Sequence, residues 1–185
     1  MATCQEALDL ICSFEGYLRV LKDGTQRVVP YLDPVGIPTI GYGSIWRLDG
    51  SRVEMGDPPI SREEAMALMN IELTKKCEPA VDRLILVPLH SLSRGALLSF
   101  TYNCGAGALK ASSLRRVVNE RRWGEVAFEF GKWRTAKGQV LPGLVRRRTA
   151  EAQMFLRGVE VLRRLETAAA SESANWNWTP VARAA

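Results

Sequence analysis

Glu15 is the first residue whose surroundings in the sequence suit it to proton chemistry. Leu8, Ile11, Cys12 and Glu15 follow one another at helical spacings, so the carboxyl ends an apolar helical stripe. Such a place disfavours the charged form by desolvation, and the negative end of the helix dipole adds roughly 0.3 to 1 kcal/mol in the same direction. A carboxyl that keeps its proton is what general acid catalysis at a glycosidic oxygen requires. By position alone, the commoner reading is a polar helix terminus with its carboxylate in water. What separates the two readings lies downstream, where Tyr31-Leu-Asp-Pro-Val-Gly-Ile-Pro-Thr-Ile-Gly-Tyr-Gly43 brings Asp33 and Thr39 among turn residues.

The elements that must position these groups can be read from periodicity and punctuation. The opening helix should stop at Gly16, a residue suited to a helix C-cap. From Arg19 to Val29, two short β-prone runs flank Asp23-Gly24, a dipeptide suited to a tight hairpin turn. Turn signals at Asp33-Pro34 and Gly36 precede a strand over Thr39 to Gly43, so residues 17 to about 58 read as a small antiparallel sheet lobe. The glycines at 36, 41 and 43 invite comparison with a phosphate loop, but Trp46 stands where the third glycine would be and no helix follows.

Ser61 with Glu64 forms a capping box, and Met66, Met69, Leu73 and Cys77 continue a helical stripe that Pro79 should kink or break. Further helices are expected from Leu89 to near Gly105, at 113–121, at 124–132 and from about Gly143 to Leu165. One helix, a small sheet and a run of helices define an α+β protein with a cleft between a sheet lobe and a helical lobe. Residues 1–167 form the expected catalytic domain, and 168–185, rich in small and polar residues, the expected flexible tail. Trp176 and Trp178 lie in that tail and are assigned no function.

With 185 residues, 46% hydrophobic and 24% charged, the chain can bury a substantial core without staples. A net charge of +5 implies attraction to something anionic, whether nucleic acid, a membrane surface or wall carboxylates. Cys4, Cys12, Cys77 and Cys104 show no Cys-x-x-Cys pair and His90 is the sole histidine, so no metal and no cofactor are expected and the thiols read as reduced. Glu6 and Asp9 near the start argue against a secretory signal, and no stretch approaches a membrane span, so synthesis in the cytoplasm is expected.

The motif Phe14-Glu15-Gly16 followed by Tyr31 to Gly43 resembles the active-site signature of the phage-type lysozymes, glycoside hydrolase family 24. The resemblance continues through Phe100-Thr-Tyr-Asn-Cys-Gly-Ala-Gly107, Ser113-Leu114, Arg122-Trp123 and Leu141-Pro-Gly-Leu-Val-Arg-Arg-Arg148 with Glu151. It implies a lysozyme-like fold and a muramidase acting on peptidoglycan during phage-induced lysis, released through a lesion made by a separate protein. By the same resemblance Glu15 is the general acid, while Asp33 and Thr39 hold the attacking water with inversion at the sugar. Ile45, Tyr102, Asn103, Ser113 and Glu129 match substrate contacts, and Arg147 matches an arginine that supports the acid and partly opposes its desolvation. Taken singly, Ser113 reads as a helix cap and Tyr102 as a core residue. Arg146 reads as part of a solvated basic turn paired with Glu151.

Eighteen positions separate Glu15 from Asp33, a longer interval than the family's usual one. The additional residues are those of the hairpin around Asp23-Gly24, which returns the chain near its start and leaves Asp33 within reach. Lys22 and Arg27 would then extend the cleft edge toward anionic wall peptides, against the alternative of a neutral surface insertion. A lytic transglycosylase uses one acid and no water, and a wall-binding protein needs neither carboxylate. The set of Glu15, Asp33 and Thr39 favours hydrolysis over both. The arginines at 115, 116, 121, 122 and 146–148 are separated clusters without a nucleic-acid motif, so no nucleic-acid partner, no stable membrane insertion and a monomer are expected.

Overall fold

The computed structural model describes residues 3–174 apart from Leu18, Pro34 and Lys137. Helix α1 spans Gln5–Glu15 and closes with the Gly16 N–H on the Cys12 carbonyl. The hairpin lobe follows: Val20 bridges Val28, Val28 bridges Ile60, and β1 (Tyr31–Leu32) pairs antiparallel with β2 (Pro38–Thr39) in the register Tyr31 to Thr39. The expected strand from Thr39 to Gly43 is cut short, because Ile40 pairs with Ser44 across a tight turn through Gly41, Tyr42 and Gly43. Paired strand structure in this lobe is therefore sparser than alternation alone suggested.

Helix α2 (Arg62–Glu72) starts at the expected capping box, with Ser61 Oγ accepting from the Glu64 N–H and the Glu64 carboxylate accepting from the Ser61 N–H. It passes into a π turn, Leu73–Cys77, and continues as α3 (Glu78–Leu84). Pro79 lies in the first turn of α3, where its missing N–H and ring disturb the regular ladder just behind it, and the chain widens there rather than breaking.

Helix α4 (Ser91–Cys104) is the centre of the larger lobe, with Ala96, Leu97, Leu98 and Phe100 all fully buried. A helix apolar on most of its circumference must be surrounded, and α1, α3, α5 (Ala106–Ala111) and α8 (Pro142–Ala174) surround it. Gly95 permits the approach of α1, since a Cβ there would stand 2.7 Å from the Ala7 Cβ. Helices α6 (Ser113–Asn119) and α7 (Val126–Gly131) complete the lobe, together with a short hairpin of β3 (Thr135–Ala136) and β4 (Gln139–Val140). Phe100, Phe130, Trp133 and Phe155 interlock edge to face inside it.

Two expectations are corrected here. The last helix does not end at Leu165 but runs to Ala174, so the first part of the stretch read as a tail is helical. The run of Ala168 to Ala170 has the highest helix propensity, and Glu160 with Arg164 adds an (i, i+4) pair at 2.8 Å. Trp176 and Trp178 lie outside the described residues. The cap of α6 is Ser112, whose Oγ accepts from the Arg115 N–H, rather than Ser113.

Candidate active site

Glu15 ends α1 where the two lobes meet. Its Oε1 lies 2.6 Å from Nη1 of Arg147, a residue 3% exposed on the second turn of α8. Its Oε2 faces the turn after β2, where a Cβ built on Gly43 would lie 4.0 Å away. Gly43 holds φ at +95°, a conformation side chains resist, and the glycine therefore brings bare backbone close to the acid.

Arg147 is itself fixed at every nitrogen. Nε donates to Glu151 Oε1 at 3.1 Å and Nη2 to the Ser99 carbonyl at 3.2 Å. Arg148 beside it donates to Asn103 Oδ1 at 2.8 Å, and Glu151 is completely buried between the two guanidiniums. The sequence read Glu151 as the partner of a solvated basic turn, whereas α4 covers this face of α8. Charged residues spaced by three and four look alike on wet and dry helix faces, so only tertiary packing distinguishes them.

Asp33 follows β1 and shapes the loop it opens. Its Oδ1 accepts from the backbone N–H groups of Val35 at 2.9 Å and Ile37 at 2.8 Å, an arrangement typical of an aspartate turn. Among the described residues Oδ2 has no hydrogen-bond partner. Thr39 is 3% exposed and donates its hydroxyl to the Ile37 carbonyl at 3.0 Å, which leaves the oxygen's lone pairs to accept. Tyr31, paired with Thr39 across β1 and β2, has its phenol pushed up by burial, then by Glu15 and by Asp33. Both carboxylates therefore lie within electrostatic reach of one hydroxyl, despite the eighteen positions between them.

The hairpin of Val20 to Val28 achieves this closure. Tyr17 at its base donates to the Gln26 carbonyl at 3.0 Å and packs its ring 5.4 Å from that of Tyr42, whose hydroxyl accepts from Arg62. Arg27 donates to the Pro59 carbonyl, so it ties the hairpin to the segment ahead of α2 while remaining exposed. Of the two cations expected at the cleft edge, the structure thus gives Arg27 a structural partner.

The five expected substrate contacts separate into groups. Tyr102 is near the acid, with its hydroxyl donating to the Tyr42 carbonyl at 2.9 Å and its phenol pushed up by burial and then by Glu15. Exposed Asn103 follows it, held by Arg148. Ile45 is partly buried and accepts from the Val53 N–H at 3.1 Å. Ser113 and Glu129 meet each other on α6 and α7, where Ser113 donates to Glu129 and Lys132 pairs with it at 2.7 Å. Burial would raise the Glu129 carboxyl, but Lys132 and Ser113 outweigh it and hold the group below its ordinary range. The groups missed by sequence reasoning are Tyr31, Tyr42, Ser99 and Arg148. Tyr31, Tyr42 and Arg148 stand inside the quoted motifs.

Among the described residues no group of three or more His, Cys, Asp or Glu side chains could hold a metal ion, and no helix is long and apolar enough to cross a membrane. A helical lobe built on one central helix, a sparse hairpin lobe and a carboxyl locked by a buried arginine at their junction define a lysozyme-like protein. The Phage lysozyme family profile matches residues 22–151, and the chain belongs to that family. That match begins after α1, so the placing of Glu15 rests on the geometry above. The endolysin of Bacillus phage B103 is 37% identical over 85% of this chain and 55% of its own length. The endolysin of Salmonella phage P22 is 33% identical over 78% of this chain and 97% of its own. Among solved structures, the endolysin from Escherichia coli O157:H7 phage FAHEc1 superposes with a TM-score of 0.72 at 34% identity, covering 84% of this chain and 94% of that one. The match spans about half the length of the Bacillus phage relative and nearly all of the P22 one.

Proposed function

We propose that the chain is an endolysin that hydrolyses the glycan of bacterial peptidoglycan between N-acetylmuramic acid and N-acetylglucosamine. The observation that carries this reading is the Glu15 carboxyl, fixed through Oε1 by Arg147 and facing the hairpin that bears Asp33 and Thr39. Glu15, protonated, gives its proton to the glycosidic oxygen. A water on the far side of the sugar is held by the Thr39 hydroxyl and loses its proton to Asp33, whose Oδ1 is anchored by the two loop N–H groups. Attack from that side inverts the anomeric carbon.

Asn103 and Tyr102 would line the sugar at the acid end, with Ile45 on the other lobe, while Ser113 and Glu129 would meet a more distant part of the glycan. The protein would act as a monomer, be made in the host cytoplasm and reach the wall after a separate protein opens the membrane. The endolysin names of its relatives support this route.

Purified protein incubated with peptidoglycan should release fragments with new reducing muramic ends, read by mass spectrometry. Anhydro ends would instead mean a transglycosylase, and no cleavage a wall-binding protein. Glu15→Gln is expected to lower cleavage by at least about a thousandfold while leaving the melting temperature within a few degrees. A variant that still cleaves well would remove Glu15 from the acid role.

A further inference from the structure

Glu151 belongs to no step of this reaction, yet it is the most deeply enclosed carboxyl near the acid. It is 0% exposed, and its Oε1 accepts from Ser99 Oγ at 2.7 Å, Arg147 Nε at 3.1 Å and Arg148 Nη2 at 3.2 Å. Its Oε2 lies 3.1 Å from Arg148 Nε. Burying a carboxyl and two guanidiniums is costly unless the geometry returns the loss.

We propose that Glu151 is a positioning residue for the candidate acid, acting through Arg147: it sets the fork that grips Glu15 and offsets the cation beside it. The inference rests on the reading of Glu15 as the general acid. Each Arg147 nitrogen has its own anchor, Nε on Glu151, Nη2 on Ser99 and Nη1 on Glu15. Removing the Nε anchor frees the planar group to turn about its stem, and Glu15 turns with it. Glu151 also holds Arg148, whose Nη2 is shared with Asn103 and whose Nη1 reaches the Cys104 sulfur. One buried carboxylate thereby aligns the acid and a candidate sugar contact.

The charge has a second effect. Guanidiniums remain protonated throughout the working range, so a lone Arg147 would favour the ionised form of Glu15, which has no proton to give. Burial holds the Glu151 carboxyl above its ordinary value, and Arg148, Ser99 and Arg147 offset only part of that rise. With permanent cations on both sides at hydrogen-bond distance, Glu151 carries the balancing negative charge. Glu15 itself is faced by Arg147 from α8, with Tyr31 of the hairpin lobe and Tyr102 of α4 within its electrostatic reach, and Asp33 reaches the same Tyr31. Glu151 is faced by Arg147 and Arg148 from its own helix and by Ser99 from α4.

Wall hydrolysis measured across pH with Glu151→Gln tests this. The neutral isostere keeps an acceptor for Ser99 and Arg147 but leaves Arg147 acting on Glu15 alone, so the alkaline limb of activity should move to lower pH by about half a unit or more. Glu151→Asp retains the charge and should keep the limb in its wild-type place even where stability falls. A residue needed only for folding would lower the melting temperature and scale activity equally at every pH, and that result with Glu151→Gln would overturn the proposal. Should Glu151→Gln not fold, Arg148→Met removes a cation instead and leaves Glu151 to offset Arg147 alone, so the limb should move to higher pH, and an unmoved limb would overturn the proposal. An active Glu15→Gln would sink the reading of the acid. An inactive one with an unmoved Glu151→Gln profile would sink only the role of Glu151.

Discussion

Asp33 commits one carboxylate oxygen to the shape of its loop, and the role proposed for it falls to the other. Asparagine would keep the Oδ1 acceptor for Val35 and Ile37 while losing the charge. Asp33→Asn should therefore melt within a few degrees of wild type but lose roughly a hundredfold or more of its hydrolysis rate, measured on purified wall. Equal activity in that variant would confine Asp33 to the turn. At Glu129 the expectation concerns stability. Its carboxyl is held below the ordinary value of 4.5, chiefly because Lys132 and Ser113 overcome the cost of burial. A depressed folded value gives stability that is present above the unfolded value and lost as pH falls through the folded one. Melting scans should find Glu129→Gln weaker than wild type at neutral pH, with the gap closing in acid. The place of Glu15 at the end of α1 was legible because helical spacing and motif agree on it, whereas Asp33 and Thr39 were singled out by resemblance to the family motif. The burial of Glu151 was not legible, since its distance from Arg147 and Arg148 along the chain is that of any surface ion pair.

At the scale of elements, Asp23-Gly24 announced its hairpin because the turn chemistry is local, and the structure has that turn with Leu21 bonded to Arg27 across it. What the sequence did not reveal is how firmly the hairpin is joined to its surroundings. Val28 is wholly buried and bridges Val20 on one side and Ile60 on the other. Val28→Ala should cost about 1 to 3 kcal/mol of stability in chemical denaturation. Lys22, exposed at the tip, should be replaceable by Ala without loss of stability, and any loss of wall binding in that variant would restore a ligand role to the hairpin. Helix α5 and the β3–β4 hairpin escaped the sequence because they are six and two-plus-two residues long, too short for periodicity to register. The extra turns of α8 escaped because small residues serve tails and helices equally well until neighbours decide.

Over the whole molecule, the net charge of +5 should make wall clearing fall steeply with added salt while melting stays nearly constant, because screening acts on long-range attraction more than on the buried ion pairs. The architecture itself was readable from the order of one helix, turn-rich strands and a helical run; the meeting of Glu15 with Arg147, 132 residues later, was implied only by resemblance. One feature of the long rod that joins the lobes bears on how the molecule tolerates change in length. Met69, Leu73, Cys77 and Val81 face the core at strict intervals of four. On an α-helix of 3.6 residues per turn, such a stripe would creep around the axis by about 40° at each step. The wider π turn at Leu73–Cys77 absorbs that creep, so the rod contains one residue more than its reach demands. Deleting exposed Lys75 would restore an alternation of four and three, and the rod should close into an unbroken α-helix with both flanks still in phase. The shortened chain is expected to fold and to melt no lower than wild type, so that losing a residue at this internal position would simplify the protein instead of harming it.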